Sequence, residues 1–351
     1  SDDVGMVNLS HFAIYDIDGP SAEHLLEYLA VARVGGATQV GKGVYTHFLD
    51  EKGGIRADLT IVRLSEDCFR VICGGGTGHR DLVWIKQMAA ARHADIEIHN
   101  RTHQLATLGL WGPNARKVLA SLVDDPNTVS DAKFPFATAA NIEIAGIKIW
   151  AFRISYVGEL GWELYFDFAD GLQLWDLFAD AGVNPVGIET YANSRRLEKS
   201  LRLQNADLET DYNLHEADLA RKLVKKADFH GKAAYVAQKA ADQQASYLCT
   251  MVMLKNVDAS GVARYPVGEW PILNKETREV LLDELGRRSI CTSVEYGPSL
   301  GSNIILGYIP AEFASVGTEL LLEYFCEEYP IRIEAVGYAP LLDPENLRVR
   351  S

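Results

Sequence analysis

Asp58 stands at the mouth of an apolar strand, in Gly53-Gly54-Ile55-Arg56-Ala57-Asp58-Leu59-Thr60-Ile61-Val62. Gly53-Gly54 reads as a tight turn and Leu59 to Val62 as a strand, because β-branched side chains pack well on a pleated, half-buried surface. A carboxylate entering such a strand must be paired, hydrogen-bonded or shifted in pKa, since burying it alone is costly. Two roles are open to it: a cap that closes the turn, or an acid facing a ligand. A second stretch is Arg153-Ile154-Ser155-Tyr156-Val157-Gly158-Glu159-Leu160-Gly161-Trp162-Glu163-Leu164-Tyr165. Either it is a hairpin with solvated acids, or Glu163 offers two acceptors to the planar donor edge of a heterocycle while Tyr156 adds a hydroxyl or a stacking face. A third is Asn193-Ser194-Arg195-Arg196-Leu197-Glu198-Lys199-Ser200-Leu201-Arg202. Its cations form a solvated helix face or a patch for the carboxylates of an acidic ligand.

The elements that carry these residues can be followed along the chain. Residues 7–17 have strand character, and Gly19-Pro20-Ser21-Ala22 ends them and opens a helix over 22–29, with Ala22, Leu25, Leu26 and Leu29 at helical spacing. Residues 45–49 pair with the Leu59 strand as a hairpin. Residues 69–73 form another strand, followed by Gly74-Gly75-Gly76-Thr77-Gly78 and a helix over 81–91. The glycine run lacks the order and the Lys-Ser/Thr of a phosphate loop. It reads instead as a flexible turn or as a place where a ligand approaches the backbone.

The pattern then recurs. Gly112-Pro113-Asn114-Ala115 with Leu119 matches Gly19-Pro20-Ser21-Ala22 with Leu26, an offset of 112 − 19 = 93. The same offset carries Phe69-Arg70-Val71-Ile72 onto Trp162-Glu163-Leu164-Tyr165. Duplicated α+β units facing each other across a pseudo-twofold leave a natural ligand cleft. Residues 187–245 read as mainly helical. From Tyr247, short strands separated by Gly, Pro and Asn turns read as an all-β barrel or sandwich. The expected division is a first α+β unit over 1–98, a second with a helical segment over 99–245, and an all-β domain over 246–351.

Composition narrows the class of partner. A net charge of −14 over 351 residues argues against nucleic acid or an anionic membrane, so an anionic ligand needs a local basic cluster. The five cysteines show no metal-ligand spacing and fit reduced thiols in a cytoplasmic compartment. No metal site is expected, no apolar run has membrane-spanning length, and no signal-peptide core opens the chain. The abrupt start ahead of Val4 fits a missing N-terminal segment.

Taken together these residues resemble the folate-dependent aminomethyltransferase family, which includes the glycine-cleavage T-protein, the tetrahydrofolate-dependent demethylases and the folate domains of sarcosine and dimethylglycine dehydrogenases. Val7-Asn8-Leu9-Ser10-His11-Phe12 is similar to the family's D-V-S-H-M entry. Gly53 to Leu59 looks like G-G-I-x-D-D-L, which puts the catalytic acid on Asp58. Leu110-Trp111-Gly112-Pro113-Asn114-Ala115 looks like L-x-G-P-x-A. Tyr156 to Glu163 is similar to Y-T-G-E-x-G-x-E, whose Tyr and final Glu contact the pterin. Pro298-Ser299-Leu300 and Gly307-Tyr308-Ile309-Pro310 resemble P-S-L and G-Y-V-P.

The resemblance implies a three-domain ring with two α+β units, a C-terminal β-barrel and tetrahydrofolate in a central channel. Two departures bear on the reaction. Tyr191-Ala192-Asn193-Ser194-Arg195-Arg196-Leu197-Glu198 replaces the T-protein's A-R-D-S-L-R-L-E and loses its folate-contacting Arg. The Arg-Arg-Leu-Glu form with Asn213-Leu214-His215-Glu216 looks more like the demethylase branch, and no dinucleotide-binding fingerprint of the flavin-linked relatives occurs. The implied activity is transfer of a methyl group from a small N-, S- or O-methylated compound to N5 of tetrahydrofolate. Asp58 would be catalytic, Tyr156 and Glu163 would hold the pterin, and Arg195 or Arg196 the glutamyl tail. His11, His47 and Trp111 are candidates to line the donor pocket. The alternatives are an aminomethyltransferase of a glycine-cleavage-type system and a folate-binding module without catalysis. Sequence is silent on oligomeric state.

Overall fold

In the computed structural model, which describes residues 3–36, 38–221 and 223–350, the chain runs through two sheets that share one plan. The first part comprises β1 (Gly5–Asn8), β2 (Ala13–Asp18), α1 (Ala22–Leu29), β3 (Gly43–Leu49), β4 (Ile55–Arg63), β5 (Cys68–Cys73), α2 (Gly75–Ala91) and β6 (Glu97–Asn100). The second comprises β7 (Leu105–Trp111), α3 (Ala115–Leu122), β8 (Ala139–Ile144), β9 (Ile147–Phe152), β10 (Gly161–Asp167), α4 (Gly171–Asp180) and the short β11 (Asn184–Pro185). The strand orders are β3-β4-β5-β2-β6 and, in the other sheet, β8-β9-β10-β7-β1-β11.

The offset of 93 therefore superposes β2 on β7, α1 on α3 and β5 on β10. The repeated Gly-Pro has a physical reason. Gly19 and Gly112 have φ of +132° and +139°, a region that L side chains rarely adopt. A Cβ at Gly19 would also strike the Asp95 carbonyl, and one at Gly112 the Asp3 carbonyl. Asp95 leads into β6 and Asp3 into β1, so these two strands are counterparts. Each lies in the sheet of its own Gly-Pro turn: β6 pairs with β2 and β1 with β7.

The expected strand over 7–17 is consequently two strands. Phe12 N–H bonds back to the Leu9 carbonyl, and the turn between them sends β1 to the second sheet and β2 to the first. The glycine run also differs from its reading, because it forms the first turn of α2. At Gly75 a Cβ would lie 2.0 Å from the His11 carbonyl oxygen, and at Gly78 2.2 Å from the Ala13 side chain. Those glycines let α2 lie close against the start of β2, so the approaching backbone is the protein's own.

Helices α1 and α2 cover one face of the first sheet, with Leu25, Leu26, Leu29 and Ile85 packed on Ile17, Leu59, Ile61 and Val71. Helices α3 and α4 cover the second sheet in the same way, through Leu119, Leu174 and Phe178. The uncovered faces meet through Ile14, Val62 and Ile72 against Phe152 and Tyr165.

Residues 187–245 are mostly irregular, which corrects the helical reading. They hold a wide π-type turn (Thr190–Arg195) running into the one-turn α5 (Arg196–Glu198), and later α6 (Lys232–Ala240). Ser200, Asn205 and Asp218 have φ of 56°, 68° and 50°, so the chain turns where leucine spacing suggested continuity. Leu197, Leu208, Leu214 and Phe229 still bury, wedged between Leu49 and Ile55 of the hairpin and Leu248 and Tyr308 beyond.

The last part holds β12 (Ser246–Met253), β13 (Ile272–Leu273), β14 (Cys291–Gly297), β15 (Ser302–Pro310), β16 (Glu319–Tyr324) and β17 (Glu327–Val336), in the order β13-β16-β17-β12-β15-β14. This sheet curls until its ends approach, where Pro271 bridges to Ile290. Residues 279–282 make only isolated bridges, Leu273 to Val280 and Leu282 to Arg288. Each part touches the other two, the last and second through Arg348 and Glu159 at 2.9 Å. All five cysteines are free.

Candidate functional site

Strand β4 alternates: Ala57, Leu59 and Ile61 are buried under the helices, while Arg56, Asp58 and Thr60 are half-buried on the opposite face. Asp58 is the register partner of His47 on β3, and Tyr45 lies two residues before His47. The Tyr45 hydroxyl donates to Asp58 Oδ2 at 2.9 Å, and His47 Nε2 lies 3.1 Å from that hydroxyl. Burial lifts the Asp58 carboxyl to about 7 against the pull of the Tyr45 hydrogen bond, while nearby Asp81 adds to the rise. Burial also keeps His47 neutral, lowering it to about 3. Tyr45 leaves 38% of its surface open, yet burial is the main cause that raises its hydroxyl pKa. The two facts agree if that open surface faces a recess enclosed by protein.

Glu163, on β10, is 7% exposed. The Tyr165 hydroxyl donates to its Oε2 at 2.5 Å, and burial raises its carboxyl to about 7. Its other oxygen accepts no hydrogen bond among the described residues. Beside it stands an aromatic wall. Trp111 stacks on Tyr191 with centroids 5.3 Å apart, and Tyr156 meets Tyr191 at 5.3 Å. Trp111 is fixed by its Nε1–H to the Ile154 carbonyl at 2.8 Å, and Tyr156 by its hydroxyl to the Arg202 carbonyl at 2.6 Å. Burial chiefly raises the Tyr191 phenol, and the negative charges of Glu163 and Asp58, together with Tyr156, add to the rise. That shared influence puts Asp58, Tyr156 and Glu163 in one neighbourhood.

The other expected residues fall differently. Arg195 is held by Glu159 at 2.7 Å, Glu198 at 2.6 Å and Ser299 at 2.8 Å, and it lines a cavity of about 260 Å³ with Trp111 and Tyr191. That cavity lies beyond the aromatic wall, and neither Asp58 nor Glu163 lines it. Arg196 is 1% exposed and donates to Asp207, Ser293 and the carbonyls of Ala192 and Leu201. Its guanidinium pins the linking segment to β14, with four of its five N–H donors engaged inside the protein. His11 is exposed in the turn after β1, its ring packed edgewise on Phe12 at 5.2 Å, and no contact joins it to Asp58. Tyr45, Tyr165 and Tyr191 were not picked out by sequence. For Tyr45 the signal was present in the hairpin, which sets residues 45 and 47 beside 58.

Among the described residues no group of three or more His, Cys, Asp or Glu is arranged to hold a metal ion, and no helix is long and apolar enough to cross a membrane. A half-open buried carboxyl beside stacked aromatic rings suits a flat heterocycle with an N–H edge.

The comparisons with known proteins bear on that heterocycle. The GCVT N-terminal domain model matches residues 1–227, and the glycine cleavage T-protein C-terminal barrel domain model matches residues 267–336. The chain belongs to the glycine-cleavage T-protein family. Members of this T-protein family use tetrahydrofolate and transfer one-carbon units. Mitochondrial dimethylglycine dehydrogenase of Rattus norvegicus is 34% identical over 99% of the chain, which spans only 38% of that relative. The aminomethyltransferase of Listeria monocytogenes (strain HCC23) is 30% identical over 91% of the chain and 82% of its own length. The crystal structure of glycine cleavage system aminomethyltransferase T from Bartonella henselae has the same fold, with a TM-score of 0.80 at 22% identity, covering 98% of this chain and 87% of that one.

Proposed function

We propose that this T-protein relative is a tetrahydrofolate-dependent demethylase that takes a methyl group from a small N-methylated amine. The observation that carries the reading is the buried carboxyl of Asp58, poised at about 7 and hydrogen-bonded to Tyr45, in the same neighbourhood as the pterin-type wall of Glu163, Tyr156, Tyr191 and Trp111. When bound, tetrahydrofolate supplies the nitrogen that accepts the one-carbon unit. Glu163 and Tyr156 hold its flat ring, and Arg195, at the cavity beside Trp111, is the arginine with reach toward a glutamyl tail.

At neutral pH Asp58 is divided between its two protonation states, so it can accept one proton and return another. As a carboxylate facing a methylated ammonium it also steadies the donor. Holding donor carbon and acceptor nitrogen within about 3–3.5 Å supplies much of the remaining rate. A cytoplasmic setting is supported by the five free thiols. N-methyl donors are favoured over S- and O-methyl ones by the likeness to dimethylglycine dehydrogenase.

That likeness and the Listeria relative favour a second reading, in which the unit accepted is a methylene group, as in an aminomethyltransferase. A screen of N-, S- and O-methyl donors with tetrahydrofolate, resolved by mass spectrometry, separates the two readings. 5-Methyltetrahydrofolate supports the demethylase, while methylenetetrahydrofolate formed with aminomethyl donors supports the alternative. Folate binding with no donor consumed identifies a module without catalysis. Asp58→Asn should bind folate and lose turnover, and unchanged kinetics for that variant would remove the mechanism.

A further inference from the structure

Asp58 has a companion chain of its own. Its register partner His47 is 4% exposed, and the Tyr45 hydroxyl lies between the two, 2.9 Å from Asp58 Oδ2 and 3.1 Å from His47 Nε2. The rings of Tyr45 and His47 meet edge to face at 4.9 Å, which fixes the order of the three groups. The hairpin needs none of these contacts to form, since its ladder is made by backbone and its opposite face is the covered core.

We propose that Asp58, Tyr45 and His47 form one directed hydrogen-bond chain, in which Tyr45 and His47 are positioning residues that set how readily Asp58 gives and takes a proton. Its role rests on the demethylase reading above; its geometry does not. With Asp58 ionised, His47 Nε2–H donates to the Tyr45 oxygen and the Tyr45 hydroxyl donates to the carboxylate. With Asp58 protonated on its other oxygen, Oδ1, the Tyr45 hydroxyl still donates to Oδ2 and His47 keeps its proton on Nε2, so no proton has to cross the imidazole. His47 stays neutral throughout, and the chain places no cation beside Asp58. Each proton that Asp58 accepts is matched by one that it returns, and none is consumed. Cooperative polarisation along such a chain favours the ionised carboxyl, which opposes the desolvation that disfavours it.

The other ionisable groups acting on this set are Tyr156 and Tyr191 from the facing wall, Cys73 on β5, Asp81 on α2 and Arg202 from the linking segment. None of them intervenes between Asp58, Tyr45 and His47.

The test reads the carboxyl directly. The full chain, carrying side-chain ¹³C-labelled aspartate and no ligand, is titrated by NMR, with the Asp58 resonance assigned through Asp58→Asn. The wild-type midpoint is expected near 7. Tyr45→Phe removes the donor and should raise the midpoint by about one pH unit. His47→Leu should raise it by less, and His47→Gln, which keeps an N–H donor, should restore it. An unmoved midpoint in Tyr45→Phe overturns the chain, as does a shift in His47→Gln equal to that in His47→Leu. If Tyr45→Phe does not fold, the two His47 variants make the comparison alone. Absence of any demethylation alongside the expected shifts refutes the reaction and leaves the chain standing.

Discussion

Replacing Glu163 by Gln isolates the energetic consequence of burying a carboxyl in the aromatic wall. Burial raises that group from 4.5 to about 7. At about 1.36 kcal/mol per pH unit, a shift of about 2.5 units is worth about 3 kcal/mol. The sign follows from which state binds the proton more tightly. The folded protein does, so the contribution is fully present below about pH 4.5, declines as the unfolded chain ionises, and is lost once the pH has risen through 7. Glu163→Gln keeps an acceptor for the Tyr165 hydroxyl and removes the titration. Unfolding free energies from urea denaturation at pH 4.5, 6 and 8 should therefore show the variant gaining about 3 kcal/mol on the wild type across that range. Asp58 titrates in the same window in both proteins and cancels from the difference. Folate affinity offers a second readout, strengthening through pH 7 in the wild type and staying flat in the variant. A stability difference constant to within about 1 kcal/mol would refute the reasoning, because Glu163 would then ionise as an ordinary exposed carboxyl does.

Two further outcomes follow from the packing. Arg196→Met strands the fully buried Asp207 carboxylate and should cost about 3–5 kcal/mol in chemical denaturation; Arg196→Met with Asp207→Leu should recover most of it. Gly109→Ala places a Cβ 1.9 Å from the Trp111 ring, so it should push the indole off Tyr191, alter tryptophan fluorescence and weaken folate binding.

Much of the plan was legible wherever a residue type was demanded by the backbone. The duplication could be seen because Gly19 and Gly112 both need positive φ and both leave room for a carbonyl. Asp58 and Glu163 stood out because a carboxyl inside an apolar strand is hard to explain otherwise, and the family likeness gave each a role. What sequence hid was set by register and by distant turns. Tyr45 reaches Asp58 only because β3 and β4 pair as they do, and Tyr191 joins the wall through a π-type turn that no periodicity marks. The arginines misled for a related reason. A basic run in an acidic chain suggested an anion site, but Arg196 is consumed by Asp207 inside the protein. The leucines of 187–245 did find cores, although through irregular backbone instead of helices.

The strand exchange at the start of the chain has a consequence for assembly. β1 lies between β7 and β11, so residues 5–8 wait during synthesis for partners a hundred or more positions later. A fragment ending after β6 would hold one sheet complete and carry β1 as an orphan with its edge unpaired. A fragment starting at β7 would lack an internal strand altogether. Severing the linker between the halves should thus yield pieces that reassociate tightly or not at all, and Glu163, on β10, comes near Asp58, on β4, only when the polypeptide has closed on itself.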